Sequence, residues 1–127
     1  AKANITRGLL IKQFFLDLIL SKRKTWEIRG SNTQVQGPIA LIQSGSGRIV
    51  GTCELIATRG PLTLQELRTN YRKIGALNKN DINSLPYKKT YAWVIAKARR
   101  LRNHVPYKHP QGAVIWVKLT KAVADKL

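Results

Sequence analysis

The chain has 127 residues and sets 23 Lys and Arg against 6 Asp and Glu, a formal charge of +17 at neutral pH. That length accommodates one domain, residues 1–127, with a real core and no second one. The charge disfavours compactness by self-repulsion and favours polyanions, nucleic acid ahead of an anionic membrane surface; no apolar run reaches the ~20 residues that span a bilayer.

Residues 1–6 carry little pattern and read as a frayed end, and Arg7 to Leu10 as a short first strand. From Leu10 to Leu20 the apolar positions Ile11, Phe14, Phe15, Leu18 and Ile19 repeat at the spacing of a core-facing helix, with Lys12, Gln13 and Asp17 on the wet side. Burial of Phe14, Phe15 and Leu18 is expected to stabilise by roughly 1.5 to 3 kcal/mol each. Lys22, Arg23 and Lys24 follow, cations placed where the negative pole of that helix ends. If Thr25 to Arg29 is extended, Thr25, Glu27 and Arg29 share one face, and Trp26 and Ile28 take the other. A polar, functional face is thereby set against an anchoring one.

Gly30 to Gln36 is a turn-rich loop. Pro38 to Gln43 and Arg48 to Thr58, joined by Ser44-Gly45-Ser46-Gly47, read as a hairpin. The lone Cys53 cannot form an internal disulfide, and without a second cysteine or a histidine pair at ligand spacing there is no zinc signature; a buried, inert thiol is expected. Gly60 and Pro61 break the pattern before Thr63-Leu64-Gln65-Glu66, a capping box that makes Glu66 a helix cap rather than a catalytic acid. Residues 68–89 fit a short helix or a long basic loop. Tyr91 to Arg102 reads as a long strand, apolar first and basic at Lys97, Arg99, Arg100 and Arg102, with Arg100 and Arg102 on one face and Arg99 on the other. Asn103 to Gln111 is a loop holding His104, Tyr107, Lys108 and His109, Ala113 to Leu119 a last strand, and residues 120–127 a short helix. Strands outnumber helices and tight turns join them, so the expected class is α+β, mainly antiparallel, with helices on one side.

The spacing Lys24, Glu27, Arg29 resembles the K-x-x-E-x-R core of the ASCH domains, which are similar to PUA domains. The likeness extends to Gly8-Leu9-Leu10-Ile11, Gly37-Pro38-Ile39-Ala40-Leu41, Tyr91-Ala92-Trp93-Val94 and the run from Pro106 to Trp116. The family motif begins with glycine where this chain has Lys22. Either Lys22 accepts a left-handed turn at a cost of about 1 kcal/mol, or the turn differs. The resemblance implies a PUA-like β-barrel with flanking helices, of the bacterial stand-alone type, and a substrate cleft lined by the motif.

Two functions follow as expectations. The first is a nucleic-acid-binding domain, for RNA rather than duplex DNA, because no helix is basic enough along one face to read a major groove. Lys22, Lys24 and Arg29 would hold phosphates, and Glu27 would accept hydrogen bonds from a base or take a proton. Arg99, Arg100, Arg102, Tyr107, Lys108 and His109 combine cations with planar rings, a pattern suited to single strands. The duller alternatives are a structural ion-pair network for the triplet and a solvated basic loop for the second set. Trp26, Trp93 and Trp116 sit among aliphatic neighbours and read as packing, and His104 and His109 as surface histidines. The second function is an enzyme on RNA or nucleosides, with Lys24 and Glu27 catalytic. The resemblance implies either a metal-assisted ribonuclease or an amidohydrolase of N4-acetylcytidine. Lys24 matches the lysine of that amidohydrolase branch, but Glu27 stands at its threonine and its glutamate has no counterpart here. Glu27 and Glu54 are the only carboxylates near the cleft segments, so no metal site is predicted, although a ribonuclease would call for a divalent ion. With no apolar leader at the start of the chain, the expected setting is cytoplasmic.

Overall fold

A computed structural model describes residues 4–127, so the expected frayed end lies partly outside the described residues. Its elements run β1 (Arg7–Ile11), α1 (Gln13–Leu20), β2 (Trp26–Arg29), β3 (Gly37–Gln43), β4 (Arg48–Arg59), α2 (Leu64–Thr69), α3 (Tyr71–Ile74), β5 (Tyr91–Pro106), β6 (Trp116–Lys118) and α4 (Lys121–Ala124). The strands form one curled half-barrel sheet in the order β2-β5-β4-β3-β1-β6. Neighbours are antiparallel except β1 and β3. That parallel pair arises because the chain leaves β1 through α1 and β2, at the opposite edge of the sheet, before returning as β3. Among the described residues no helix is long and apolar enough to cross a membrane.

The period of two along β1 and β3 supplies two cores. Leu9, Ile11, Ile39 and Leu41 meet α1 through Leu16 and Ile19, whereas Leu10, Ala40 and Ile42 meet Val117 and the α4 side. A third cluster, Trp26, Leu62, Leu67 and Ala92, lies beneath α2. The hairpin forms where Ser44 to Gly47 predict it, with Gly45 and Gly47 at φ of 82° and 68°. The Thr63 hydroxyl accepts from Glu66 N at 3.1 Å while Glu66 Oε1 accepts from Thr63 N at 3.0 Å, so the capping box is present. Cys53 is buried, and burial, aided by the charge of Glu54, pushes its thiol up to about 12.

The face of α1 is not the one its spacing suggests. Ile11 belongs to β1, so the helix starts two residues later, and its core side is Leu16 and Ile19; Phe14 is 71% exposed and Phe15 41%. The apolar residues of the strand run into those of the helix, and a single period fitted across both takes the wrong phase. Strict alternation also fails in β5. Beyond Lys97, at φ 53°, the buried positions are Ala98, Leu101 and Val105, leaving Arg99, Arg100 and Arg102 all exposed. The strand runs on to Pro106, which places His104 in it rather than in the following loop, and β6 is shorter than residues 113–119.

Candidate functional site

The site begins where α1 stops. Lys22 has φ 69°; Arg23 N donates to Leu18 O at 3.0 Å and Lys22 N to Ile19 O at 3.1 Å. These paired bonds close the helix with a left-handed residue. The chain therefore keeps the turn that glycine would permit and tolerates a side chain in it. Lys22 Nζ donates to Ala98 O of β5.

This turn delivers Lys24 into the interior, 3% exposed, beside Glu27 at 5%. Lys24 Nζ donates to Ile74 O at 3.0 Å and lies 3.6 Å from Glu27 Oε1. Glu27 and Arg29 share a face of β2, as the period of two requires. Arg29 Nε and Nη2 donate to Glu27 Oε2 at 3.1 and 2.8 Å, and Nη2 also donates to Leu10 O at 2.9 Å. The guanidinium carbon lies 5.4 Å over the Trp93 ring, whose Nε1 donates to Ser31 O at 2.9 Å. Glu27 thus has Oε2 fixed by Arg29, while Oε1 faces the Lys24 ammonium at 3.6 Å. Burial lowers the Lys24 pKa, opposed by the attraction of Glu27.

Above this triad is a pocket of about 590 Å³, within the usual span of roughly 300 to 1,000 Å³ for small-molecule sites. Phe15, Ile28, Leu67, Ile74 and Val114 supply apolar wall, and Lys12, Asn83, Ser84 and Tyr87 polar or aromatic rim. Lys24 Nζ lies 5.4 Å from the centre of the Phe15 ring. The segment after α2, which fits helix or loop from sequence, forms an entire wall of this pocket. The Lys24 bond to Ile74 O helps hold it there; in addition Thr25 N donates to Lys73 O at 2.8 Å, and Gly75, at φ 91°, brings the backbone so close that an added Cβ would stand 3.2 Å from Lys24 Cβ. Asp81 also lines the pocket, a carboxylate the sequence reading missed, but its Oδ2 accepts from Asn78 N at 3.1 Å in a second capping box. The sequence signal for that turn is Asn78 followed three residues later by Asp81.

The remaining candidates lie elsewhere. Arg99, Arg102 and His104 line a second groove with Lys126, toward the other end of β5. Arg100 pairs with Asp17 at 3.8 Å, both half exposed, and Lys97 with Glu54 at 3.8 Å, so Glu54 does not line the pocket. Tyr107 Oη and His109 Nδ1 are 2.9 Å apart, and His109 Nε2 is 3.0 Å from Ala113 O. A carbonyl can only accept, so Nε2 carries a proton and the ring ties the loop together. Burial raises the Tyr107 pKa. Tyr107, Lys108 and His109 do not line the pocket. Trp93 and Trp116 stack at 5.8 Å, as the packing reading expects. Among the described residues no group of three or more His, Cys, Asp or Glu could hold a metal ion. Glu27, already facing two cations, is a poor donor to a third, so the residues present do not fit a divalent ion.

The chain is thus a small, strongly basic domain: a curled half-barrel with a buried Lys-Glu-Arg triad under a mixed apolar and polar pocket. The ASCH domain model matches residues 9–104, and the chain belongs to the ASCH domain family. The ASCH protein of Zymomonas mobilis has a similar structure, with TM-score 0.63 at 18% identity over 94% of this chain and 91% of that one. Two single-substitution mutants of that protein, one serine to alanine and one tyrosine to phenylalanine, align with TM-scores of 0.65 and 0.64, at 18% and 17% identity, each over 94% of this chain and over 92% and 94% of theirs. Comparison with curated proteins finds no match. The fold is therefore α+β and PUA-like, a type generally associated with RNA binding.

Proposed function

We propose that the domain binds single-stranded RNA by seating one unstacked nucleotide over Glu27, while exposed arginines on β5 hold the neighbouring backbone. The observation that carries this reading is the triad's asymmetry. Arg29 immobilises Oε2 of Glu27 by two bonds, while Oε1 stands 3.6 Å from the Lys24 ammonium, within hydrogen-bonding reach of a group seated in a pocket large enough for a nucleoside. Such an acceptor suits the N–H edge of a base or a ribose hydroxyl. By count the pocket-lining charges nearly cancel, with Lys12, Lys24 and Arg29 against Glu27 and Asp81, so the pocket suits a base and sugar better than a run of phosphates.

The phosphates would meet Arg99, Arg100 and Arg102, with Lys22 at the end of α1 and Lys108 beyond the strand. Glu27 is in register with Trp93 near the start of β5. At about 3.3 Å per residue, Arg99 and Arg102 stand roughly 20–30 Å further along. An oligonucleotide reaches both regions, whereas a mononucleotide reaches only the first. Among the described residues the longest helix, α1, has eight residues, too few to read a major groove, so single strands are favoured over duplex DNA.

Titration of a labelled RNA at two salt concentrations tests the reading. Affinity should fall with a log-log slope of about 0.7 per phosphate contacted, and Arg99→Ala with Arg102→Ala should lower that slope. Affinity indifferent to salt overturns it.

One observation favours a second reading, a hydrolytic enzyme on RNA or nucleosides. A buried amine with a lowered pKa beside a carboxylate is an arrangement suited to proton transfer. Incubation of RNA with wild type and Glu27→Gln, with and without chelator and with folding verified by circular dichroism, separates the two. Cleavage lost in the variant supports the enzyme; intact RNA with tight binding supports the binding module.

A further inference from the structure

Phe14 has no role in the core and does not line the pocket, yet it stands beside Phe15, which does. Its neighbour Phe15 forms part of the wall, and the two rings stand edge to face, with centroids 5.4 Å apart and planes at 81°. Leu16 and Ile19 occupy the core side of α1, so Phe14 cannot turn inward without unseating them. The helix beneath it is anchored by those two side chains, by the turn at Lys22 and by the pair between Asp17 and Arg100. The result is an aromatic ring 71% exposed on a held support. It stands one residue from a pocket-lining ring, with the cation Lys12, another lining residue, two positions before it.

We infer that Phe14 is a stacking platform for the base next to the one in the pocket, making the site selective for single-stranded RNA of at least two nucleotides. This rests on the RNA-binding reading above. Charge decides between possible occupants. A second copy of the chain would bring another +17 against the first, whereas a nucleotide brings the phosphates that Lys12 and the arginines attract. Stacking on an aromatic face is also tolerant of base identity, since every base has such a face.

The test compares wild type, Phe14→Ala and Phe14→Trp in binding a fluorescein-labelled RNA hexamer of random sequence, at two salt concentrations. Phe14→Ala should weaken binding roughly 5- to 150-fold, the worth of one base stacked on a ring. The salt slope should stay unchanged, because no phosphate contact is lost, and Phe14→Trp should restore affinity. Thermal melting should show all three equally folded. If Phe14→Ala binds as wild type does while Arg99→Ala weakens binding, the platform is overturned and the RNA reading survives. If the wild type fails to bind RNA, both fall. A wild-type dimer that Phe14→Ala dissolves, with RNA affinity unaltered, assigns the ring to self-association and overturns the platform.

Discussion

Replacing Glu27 with glutamine tests the physical core of the site. Glutamine has nearly the same shape, and its amide oxygen can still accept from Arg29, but the negative charge is gone. The side chains of Lys24, Glu27 and Arg29 are 2%, 6% and 17% exposed, so two cations would be left deep in the protein without a counter-ion. Breaking a buried pair from one side costs roughly 3–5 kcal/mol, and the retained Arg29 bonds place the expected loss near the low end. The loss should depend on pH in a defined direction. The folded chain holds the Lys24 proton less tightly than the unfolded chain, so between the lowered folded pKa and the ordinary value of 10.5 it binds fewer protons, and stability rises with pH across that window. Without Glu27 the attraction that retains the proton disappears, and the window opens at lower pH in the variant. The deficit against wild type should therefore be greatest where Lys24 is charged in both proteins and should shrink at moderately alkaline pH. Urea denaturation of both proteins at neutral and at alkaline pH measures it. A loss under about 1 kcal/mol, or a deficit that grows as pH rises, would refute the buried-triad account.

Three further outcomes follow from the fold. At Lys22, with φ 69°, Lys22→Gly should be more stable than Lys22→Ala by about 1 kcal/mol in chemical denaturation; both lose the bond to Ala98 O, so the difference isolates the left-handed turn. Cys53, its thiol pushed up to about 12, should resist a disulfide reagent at mildly alkaline pH until denaturant unfolds the chain; immediate native labelling would contradict its burial. Gly51→Ala should lower stability by roughly 1–3 kcal/mol, because the added Cβ would stand 2.7 Å from Arg99 O and 2.8 Å from Leu20 Cδ2, and an unchanged melting temperature would contradict that packing.

What can be read directly along the chain is local. The alternation from Trp26 to Arg29, the Ser44–Gly47 turn and the Thr63 to Glu66 capping box each depend on residues within a few positions of one another, so their patterns are complete in the chain itself. The motif Lys24, Glu27, Arg29 was legible for the same reason, and the resemblance it carried was enough for the family. Long-range packing settles the rest. Whether those charges form a solvated cluster or a buried triad depends on Ile74, Lys73 and Gly75 closing over them from about fifty residues away, and no local pattern records that approach. The same holds for α1, whose inward face, Leu16 and Ile19, is the one that packs on Leu9, Ile11, Ile39 and Leu41 of the sheet. That long-range fit left Phe14 in solvent, next to the pocket-lining Phe15.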